Sequence, residues 1–337
     1  MNSQPFSKPR LGEIQGPKGF WSRDLVSVRD FTPSEVASVL ELTALMKARP
    51  ADFRAALAGK QLVMFFEKPS LRTRLTFESG MASLGGVSFF VDQTQSLLSV
   101  RETLSDVAHN VERWCDVIVL RTFAHATVED IAEYADIPVI NALSEREHPC
   151  QALADYFTLQ EKFGDLRKVR LAYIGDGNNV ANSLLLVCAS LGSTIHLATP
   201  DGYSPDSQIL ADAYEIAQET GATIQLFNDS FEAVQGADAV YTDTWVSMGQ
   251  ENESEQRIQI FTPYQVNHQL MSQAKSHAIF MHCLPAYRGK EVTNDVIDSP
   301  RSVVFDQAEN RLHVQKAILS LLLGAGVGRF PMRSAHA

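Results

Sequence analysis

The chain has 337 residues, of which 45% are hydrophobic, and its formal net charge is −11. This length and composition suffice for two domains with buried cores. The excess of 40 acidic over 29 basic residues argues against nonspecific binding to nucleic acid or to an anionic membrane, and favours a small-molecule partner.

Cysteine usage and the chain ends favour a cytoplasmic protein. The four cysteines lie far apart, follow no metal-ligand spacing and mostly fall in apolar segments, as expected in a reducing compartment. The N-terminus has no basic patch followed by an apolar segment, so no export signal is visible. The apolar segment 317–328 is shorter than the about 20 residues that a membrane-spanning helix needs.

The first half of the chain alternates short apolar segments with longer amphipathic ones. The apolar segments predict buried strands at 61–66, 87–91, 116–120 and 138–141. The amphipathic segments predict helices around 72–84, 102–114, 127–135 and 149–163. This alternation is typical of a doubly wound parallel sheet.

The second half repeats the alternation after a predicted linker at 164–168. Strands are predicted at 169–174, 194–198, 223–227, 239–242 and 279–281. A long closing helix is predicted from the apolar spacing of Val314, Ala317, Ile318, Leu321 and Leu322. We therefore predict an α/β fold with two parallel-sheet domains, placed at 20–163 and 164–306, and a C-terminal helix at 307–324.

The segment Ser70-Leu71-Arg72-Thr73-Arg74 follows a predicted strand and begins a predicted helix. The free backbone N–H groups of a first helical turn favour an anion. Ser70 and Thr73 add hydroxyl donors, and Arg72 adds a planar fork that can hold two phosphate oxygens. The segment predicts a phosphate site; the alternative is a capped helix start with solvated arginines.

His148 and Gln151 lie beyond the fourth predicted strand, where Pro149 suits the first turn of a helix. An imidazole there can donate to a carbonyl oxygen, and the Gln151 amide oxygen can accept from an NH2 group. A carbamoyl group offers both partners. Arg121, at the end of the third predicted strand, adds a cation to the same edge. The alternatives are a helix-start histidine and a surface arginine.

The loop after the predicted strand 239–242 carries Asp243 and, further on, Ser247-Met248-Gly249. A carboxylate, a hydroxyl and open backbone on one loop can hold an ammonium group. Asn178 and Asn179 begin a predicted helix and can donate to a carboxylate. The second half therefore predicts an amino-acid site.

Two other features of the second half have more than one interpretation. Gly175-Asp176-Gly177 suggests a dinucleotide turn, but Val180 stands where the fingerprint has its third glycine, so we do not expect a nicotinamide cofactor. Cys283 follows the last predicted strand and can act as a thiol or a thiolate. It can also be a buried small residue, or a covalent nucleophile with His148 as its base.

These segments, in this order, resemble the successive motifs of the ornithine carbamoyltransferase family. The match includes His148-Pro149-Cys150-Gln151, His282-Cys283-Leu284-Pro285 and the segment 306–311, and it extends from about residue 24 to 324. The first two motifs are shared with aspartate carbamoyltransferases. The Ser-Met-Gly and His-Cys-Leu-Pro motifs are typical of the ornithine branch.

The resemblance implies a carbamoyl-phosphate domain, an ornithine domain and a last helix that packs on the first. It implies that carbamoyl phosphate is bound by Ser70, Leu71, Arg72, Thr73, Arg121, His148, Gln151, Cys283, Leu284 and Arg311. It implies that ornithine is bound by Asn179, Asp243, Ser247 and Met248. It further implies a homotrimer with active sites near subunit boundaries, and a reaction that needs no metal or cofactor.

The chain departs from the family pattern at two places. Leu97 stands where many members have a Gln or His that reaches the neighbouring subunit's site. His109 stands where the family's usual Asp-Thr-Ala-Arg segment has its arginine. We expect the phosphate to depend more heavily on Arg72, Arg121 and Arg311.

The predicted reaction is transfer of the carbamoyl group of carbamoyl phosphate to the side-chain amine of L-ornithine, giving L-citrulline and phosphate in arginine metabolism. The predicted catalytic residues are Arg72, His148, Asp243 and Cys283. Alternatives are a carbamoyltransferase for acetylornithine, putrescine or aspartate, a cysteine-dependent hydrolase, and a catalytically silent binding protein with the same fold.

Overall fold

The structure is a computed structural model that describes residues 23–93, 98, 100–246 and 251–324. These residues form two parallel sheets with helices on their faces. The α/β class with two doubly wound sheets is therefore confirmed. Within the described ranges, no helix is long and apolar enough to cross a membrane.

The first sheet has the strand order β2-β1-β3-β4, and all neighbouring strands are parallel. Its strands are β1 Gln61–Phe66, β2 Val87–Asp92, β3 Val117–Arg121 and β4 Val139–Leu143. Its helices are α1 Pro33–Ala48, α2 Leu71–Ser83, α3 Leu104–Val111, α4 His125–Tyr134 and α5 Pro149–Phe163. The interior strands β1 and β3 are apolar and almost wholly buried, as parallel strands covered on both faces must be.

The second sheet has the order β7-β6-β5-β8-β9 and is also parallel throughout. Its strands are β5 Arg170–Ile174, β6 Thr194–Ala198, β7 Thr223–Phe227, β8 Ala239–Thr242 and β9 Ile279–His282. The helices that follow are α6 Asn179–Leu191, α7 Ser207–Thr220, α8 Ser230–Val234, α9 Ser254–Phe261, α10 His268–Met271, α11 Asn294–Ile297 and α12 Val304–Leu322. The polar edge of each sheet at the strands' carboxyl ends is where ligands bind in such folds.

Helix α12 packs against α1, α2 and α5, which all belong to the first half of the chain. Most of its apolar residues, including Val314, Ile318 and Leu321, are buried, whereas Phe305 in its first turn is exposed. This packing brings Arg311 from the end of the chain to Thr73 on α2, where the Arg311 Nη2 donates to Thr73 Oγ1 at 2.7 Å. The domain bounds given above remain a prediction.

The structure shifts several predicted element ends by one to a few residues. Strand β3 ends at Arg121 rather than at 120, and β4 continues to Leu143. Helix α3 is shorter than the predicted 102–114, since the side chain of Thr103 caps its start and residues 112–114 form a turn. The predicted linker 164–168 contains a short 3-10 helix at Leu166–Lys168.

Candidate active site

The carboxyl ends of strands from both sheets border one pocket of about 280 Å³. It is lined by predicted site residues from both halves of the chain: Ser70, Leu71, Arg72, Arg121, His148, Gln151, Asn179, Asp243, Cys283, Leu284 and Arg311. Lys68, which we did not predict, also lines it. The sequence indicated Lys68 only through its position, two residues before Ser70 and just after a predicted strand.

Ser70 is the N-cap of α2, and its hydroxyl oxygen accepts from the backbone N–H of Thr73 at 3.3 Å. Its own hydroxyl donates to Thr73 Oγ1 at 3.0 Å. Thr73 is fully buried and does not line the pocket. It lies behind the first turn of the helix, where it connects Ser70 to Arg311.

Three arginines converge on the pocket. Arg72, Arg121 and Arg311 form no salt bridge with any described residue, and the Nε atoms of Arg121 and Arg311 are buried without a partner. Burial, followed by repulsion from Arg311 and Arg72, lowers the pKa of Arg121 to about 9. Burial likewise lowers the pKa of Arg311. The pocket therefore suits a strongly charged anion.

His148 and Gln151 add neutral polar groups beside the arginines. Burial, and then the positive charges of Arg311 and Arg121, lowers the pKa of His148 well below 6.5. Its imidazole is therefore neutral near about pH 7, with one N–H to donate. Gln151 is 1% exposed, and its Oε1 has no hydrogen-bond partner among the described residues.

The amide nitrogen of Gln151 has a partner that we did not predict. Gln151 Nε2 donates to Asp155 Oδ1 at 2.8 Å. Asp155 is fully buried, and burial raises the pKa of its carboxyl to about 7. The only signal in the sequence was the spacing of four, which places both side chains on one face of a helix.

Cys283 and Asp243 meet on the side of the pocket formed by the second sheet. The Cys283 thiol donates to Asp243 Oδ1 at 3.0 Å, and Asn178 Nδ2 donates to Asp243 Oδ2 at 2.8 Å. Desolvation, and then the neighbouring Asp243, raises the pKa of the Cys283 thiol well above 9. The thiol therefore stays protonated and acts as a donor, which disfavours the thiolate alternative.

Asp243, His282 and Cys283 also satisfy the spacing of a possible metal site, since their ligand atoms lie within 4.8 Å of one another. Both ring nitrogens of His282 already have partners. Nδ1 accepts from the backbone N–H of Leu284 at 2.9 Å, and Nε2 lies 3.3 Å from Glu291 Oε1. His282 therefore holds the turn at Leu284, whose φ is 59°.

The first two turns of α6 hold the loop that carries His148. Asn179 Nδ2 donates to the carbonyl of Ser144 at 2.6 Å, and Asn182 Nδ2 donates to that of Arg146 at 2.9 Å. The backbone N–H of His148 donates to Ser183 Oγ at 2.8 Å. We expected Asn179 to donate to a ligand; its amide nitrogen already has one protein partner, which leaves one N–H for the pocket.

Other predicted positions lie outside the pocket or outside the described residues. Ser247, Met248 and Leu97 belong to the segments that the structure does not describe. His109 lies on α3 with 57% of its side chain exposed, and its Nδ1 is 3.6 Å from Glu112 Oε1. It therefore takes no part in the pocket lining.

Two family models match the chain in succession. The model described as "Aspartate/ornithine carbamoyltransferase, carbamoyl-P binding domain" matches residues 23–161. The model described as "Aspartate/ornithine carbamoyltransferase, Asp/Orn binding domain" matches residues 167–322. Together they cover both sheets and the closing helix.

Named relatives and solved structures agree with the family models. The ornithine carbamoyltransferase of Pyrococcus horikoshii is 50% identical over 304 residues, which are 90% of this chain and 96% of the relative. The "Ornithine carbamoyltransferase, anabolic" of Pyrococcus furiosus is 49% identical over the same share of this chain. A solved structure of ornithine carbamoyltransferase from Pyrococcus furiosus has a TM-score of 0.88 at 48% identity, covering 90% of this chain and 98% of that one.

Proposed function

The chain belongs to the aspartate/ornithine carbamoyltransferase family, and we propose that it transfers the carbamoyl group of carbamoyl phosphate to L-ornithine. The products are L-citrulline and phosphate, and the reaction belongs to arginine biosynthesis. The observation that carries the proposal is one pocket that joins three arginines, none in a salt bridge with a described residue, to the Cys283–Asp243 pair. The relatives named for ornithine support this acceptor.

The phosphate end of carbamoyl phosphate lies among Arg72, Arg121 and Arg311, at the N-terminus of α2. The backbone of Leu71 donates to the same oxygens, the Ser70 hydroxyl exchanges its bond to Thr73 for one to phosphate, and Thr73 holds Arg311 in place. A dianion relieves the mutual repulsion of the three guanidinium groups. The same groups stabilise the phosphate as it leaves.

The carbamoyl end lies against His148 and Gln151. The neutral imidazole of His148 donates to the carbonyl oxygen, on which negative charge develops during attack. The unpartnered Gln151 Oε1 accepts from the carbamoyl NH2. Cys283 and Leu284 close this end of the pocket, next to the carbamoyl carbon.

Ornithine lies on the side of the second sheet, held by Asn179, Asp243, Ser247 and Met248. Its neutral side-chain amine attacks the carbamoyl carbon, and the bond from that carbon to the phosphate oxygen then breaks. The amine loses a proton to Asp243, and phosphate leaves with the bonding electrons. No metal or cofactor takes part. Closure of the two domains brings the reactants into contact.

We further propose that the enzyme is a homotrimer in the cytoplasm. Phe89 on β2 and Trp114 after α3 are 48% and 66% exposed, and both border a largely apolar cavity of about 540 Å³. An exposed apolar patch of this kind favours contact with another protein surface. Sedimentation should give the mass of three chains, and Trp114→Glu should give a smaller species; a monomeric wild-type protein would contradict the trimer.

The four cysteines are free thiols, in keeping with a reducing compartment such as the cytoplasm.

A panel of amines tests the acceptor. Carbamoyl phosphate is supplied with ornithine, acetylornithine, putrescine or aspartate, and the carbamoylated product is identified by mass spectrometry. We expect ornithine to have the highest kcat/KM, because the Asp243 loop suits an amino acid with a second amine. A higher kcat/KM for another amine would make the chain a carbamoyltransferase for that amine. Phosphate release in the absence of any amine would favour the cysteine-dependent hydrolase.

A further inference from the structure

The buried carboxylate of Asp155 lies one helical turn beyond Gln151 and is bonded from three elements. On α5 it accepts from Gln151 Nε2 at 2.8 Å. From α12 it accepts from Gln307 Nε2 at 2.7 Å, and from β8 it accepts from the Tyr241 hydroxyl at 3.0 Å. Since two of these donors lie outside α5, the position of the carboxylate does not depend on Gln151.

Asp155 Oδ1 accepts from Gln307 Nε2, so this oxygen offers Gln151 an acceptor, and the nitrogen of the Gln151 amide is the end that bonds to it. The nitrogen faces Asp155, and the oxygen is left at the other end of the amide. Gln151 lines the pocket, is 1% exposed, and its Oε1 has no partner among the described residues. The two ends of an amide have almost the same shape, so packing alone would not choose between them.

We propose that Asp155 is a positioning residue that turns the oxygen of the Gln151 amide toward the pocket, and thereby makes the site prefer an NH2 group on the transferred acyl carbon. The proposal rests on the proposed function, because carbamoyl phosphate supplies that NH2. With the amide reversed, the NH2 of Gln151 would face the NH2 of the substrate, and two donors would meet in a buried site.

The preference is measured with a pair of ligands that differ only at this group. Acetyl phosphate has a methyl where carbamoyl phosphate has NH2, so it reports on the phosphate site without using Gln151 Oε1. The dissociation constants of both are measured by calorimetry for the wild type, Asp155→Leu and Asp155→Asn. Leucine has a similar size but no acceptor, whereas asparagine keeps one acceptor oxygen for Gln151.

We expect Asp155→Leu to weaken carbamoyl phosphate binding by about tenfold, the value of one hydrogen bond between uncharged groups, and to leave acetyl phosphate within about threefold. Asp155→Asn should keep the wild-type preference. If Asp155→Leu weakens both ligands equally, Asp155 has only a structural role and the inference is wrong. The inference is equally wrong if Asp155→Asn loses the preference as fully as Asp155→Leu does.

Two further measurements keep the test decisive. If Asp155→Leu does not fold, neutron diffraction of the wild-type protein locates the deuterons of the Gln151 amide directly; deuterons pointing into the pocket would overturn the inference. Citrulline synthesis by the wild type is assayed separately. A wild type that prefers carbamoyl phosphate over acetyl phosphate but forms no citrulline would contradict the proposed acceptor and leave the role of Asp155 standing.

Discussion

Replacing Arg121 with methionine should stabilise the ligand-free protein and abolish carbamoyl phosphate binding. Arg121 is 6% exposed, its Nε has no partner among the described residues, and burial together with Arg311 and Arg72 lowers its pKa to about 9. The charged form is therefore less stable in the folded chain than in the unfolded chain. Methionine fills a similar volume without a charge to desolvate.

The magnitude follows from the pKa of Arg121. A fall from 12.5 to about 9 corresponds to a penalty of at most about 5 kcal/mol, at about 1.4 kcal/mol per pKa unit. The penalty is complete at any pH below about 9, and it fades only as the pH rises from there toward the unfolded pKa of 12.5. Replacing buried ions by apolar residues commonly stabilises a protein by about 1 to 4 kcal/mol, so we expect a gain of about 1 to 3 kcal/mol at neutral pH.

Urea unfolding at fixed protein concentration, with and without phosphate, measures both effects. The wild type should gain about 2.7 kcal/mol from phosphate at a hundred times its dissociation constant, and Arg121→Met should gain little. Arg74→Met is the matched control, because Arg74 is an exposed arginine on α2 whose Nε lies 2.9 Å from Glu78 Oε1 and which does not line the pocket; it should leave phosphate binding unchanged. A ligand-free Arg121→Met protein less stable than the wild type would refute the reasoning.

Four other changes separate the parts of the mechanism. Arg72→Lys keeps the charge but loses the two-pronged fork, so kcat/KM for carbamoyl phosphate should fall at least about tenfold; unchanged kinetics would contradict the assignment. Cys283→Ser should lower kcat with little change in carbamoyl phosphate affinity, and mass spectrometry should find no carbamoyl adduct at Cys283 in the wild type. The ornithine side-chain amine resembles lysine, with a pKa of about 10.4, so kcat/KM for ornithine should rise steadily from about pH 6 to above about pH 8; a flat profile with rate-limiting chemistry would exclude attack by the neutral amine. Ser183→Ala removes the acceptor for the backbone N–H of His148. It should lower kcat more than it raises the KM for carbamoyl phosphate, and Ser183→Thr should restore kcat.

The buried strands were the part of the fold that the sequence predicted best. The bounds of β1, β6, β7 and β8 agree with the predicted segments. For β1, β6 and β8 the reason is that an interior parallel strand is a continuous apolar segment bounded by polar residues. Helix α1 was not predicted, although Thr32 and Glu35 form a capping box at its start. That signal is local and was present in the sequence.

The site was predictable to the extent that it depends on strand order. In a parallel sheet the carboxyl ends of all strands lie on one edge, so residues after separate strands converge without any long-range information. Ser70 and Arg121 follow this rule in the first sheet, and Asp243 and Cys283 follow it in the second; the rule does not predict that the two edges face each other across one pocket. Asp155 does not, because its partners Tyr241 and Gln307 become neighbours only when the two sheets and α12 pack together.

The loop from Ser144 to His148 shows why the two halves of the chain must be considered together. The loop follows β4 of the first sheet, but three side chains from the start of α6, which follows β5 of the second sheet, hold its backbone. Ser183, which accepts from the His148 N–H, itself donates to the buried Glu147 at 3.2 Å. Any shift of one sheet relative to the other therefore moves the imidazole relative to the arginines of the first sheet. The position of His148 thus depends on the same contact between domains that brings the amine toward the carbamoyl carbon.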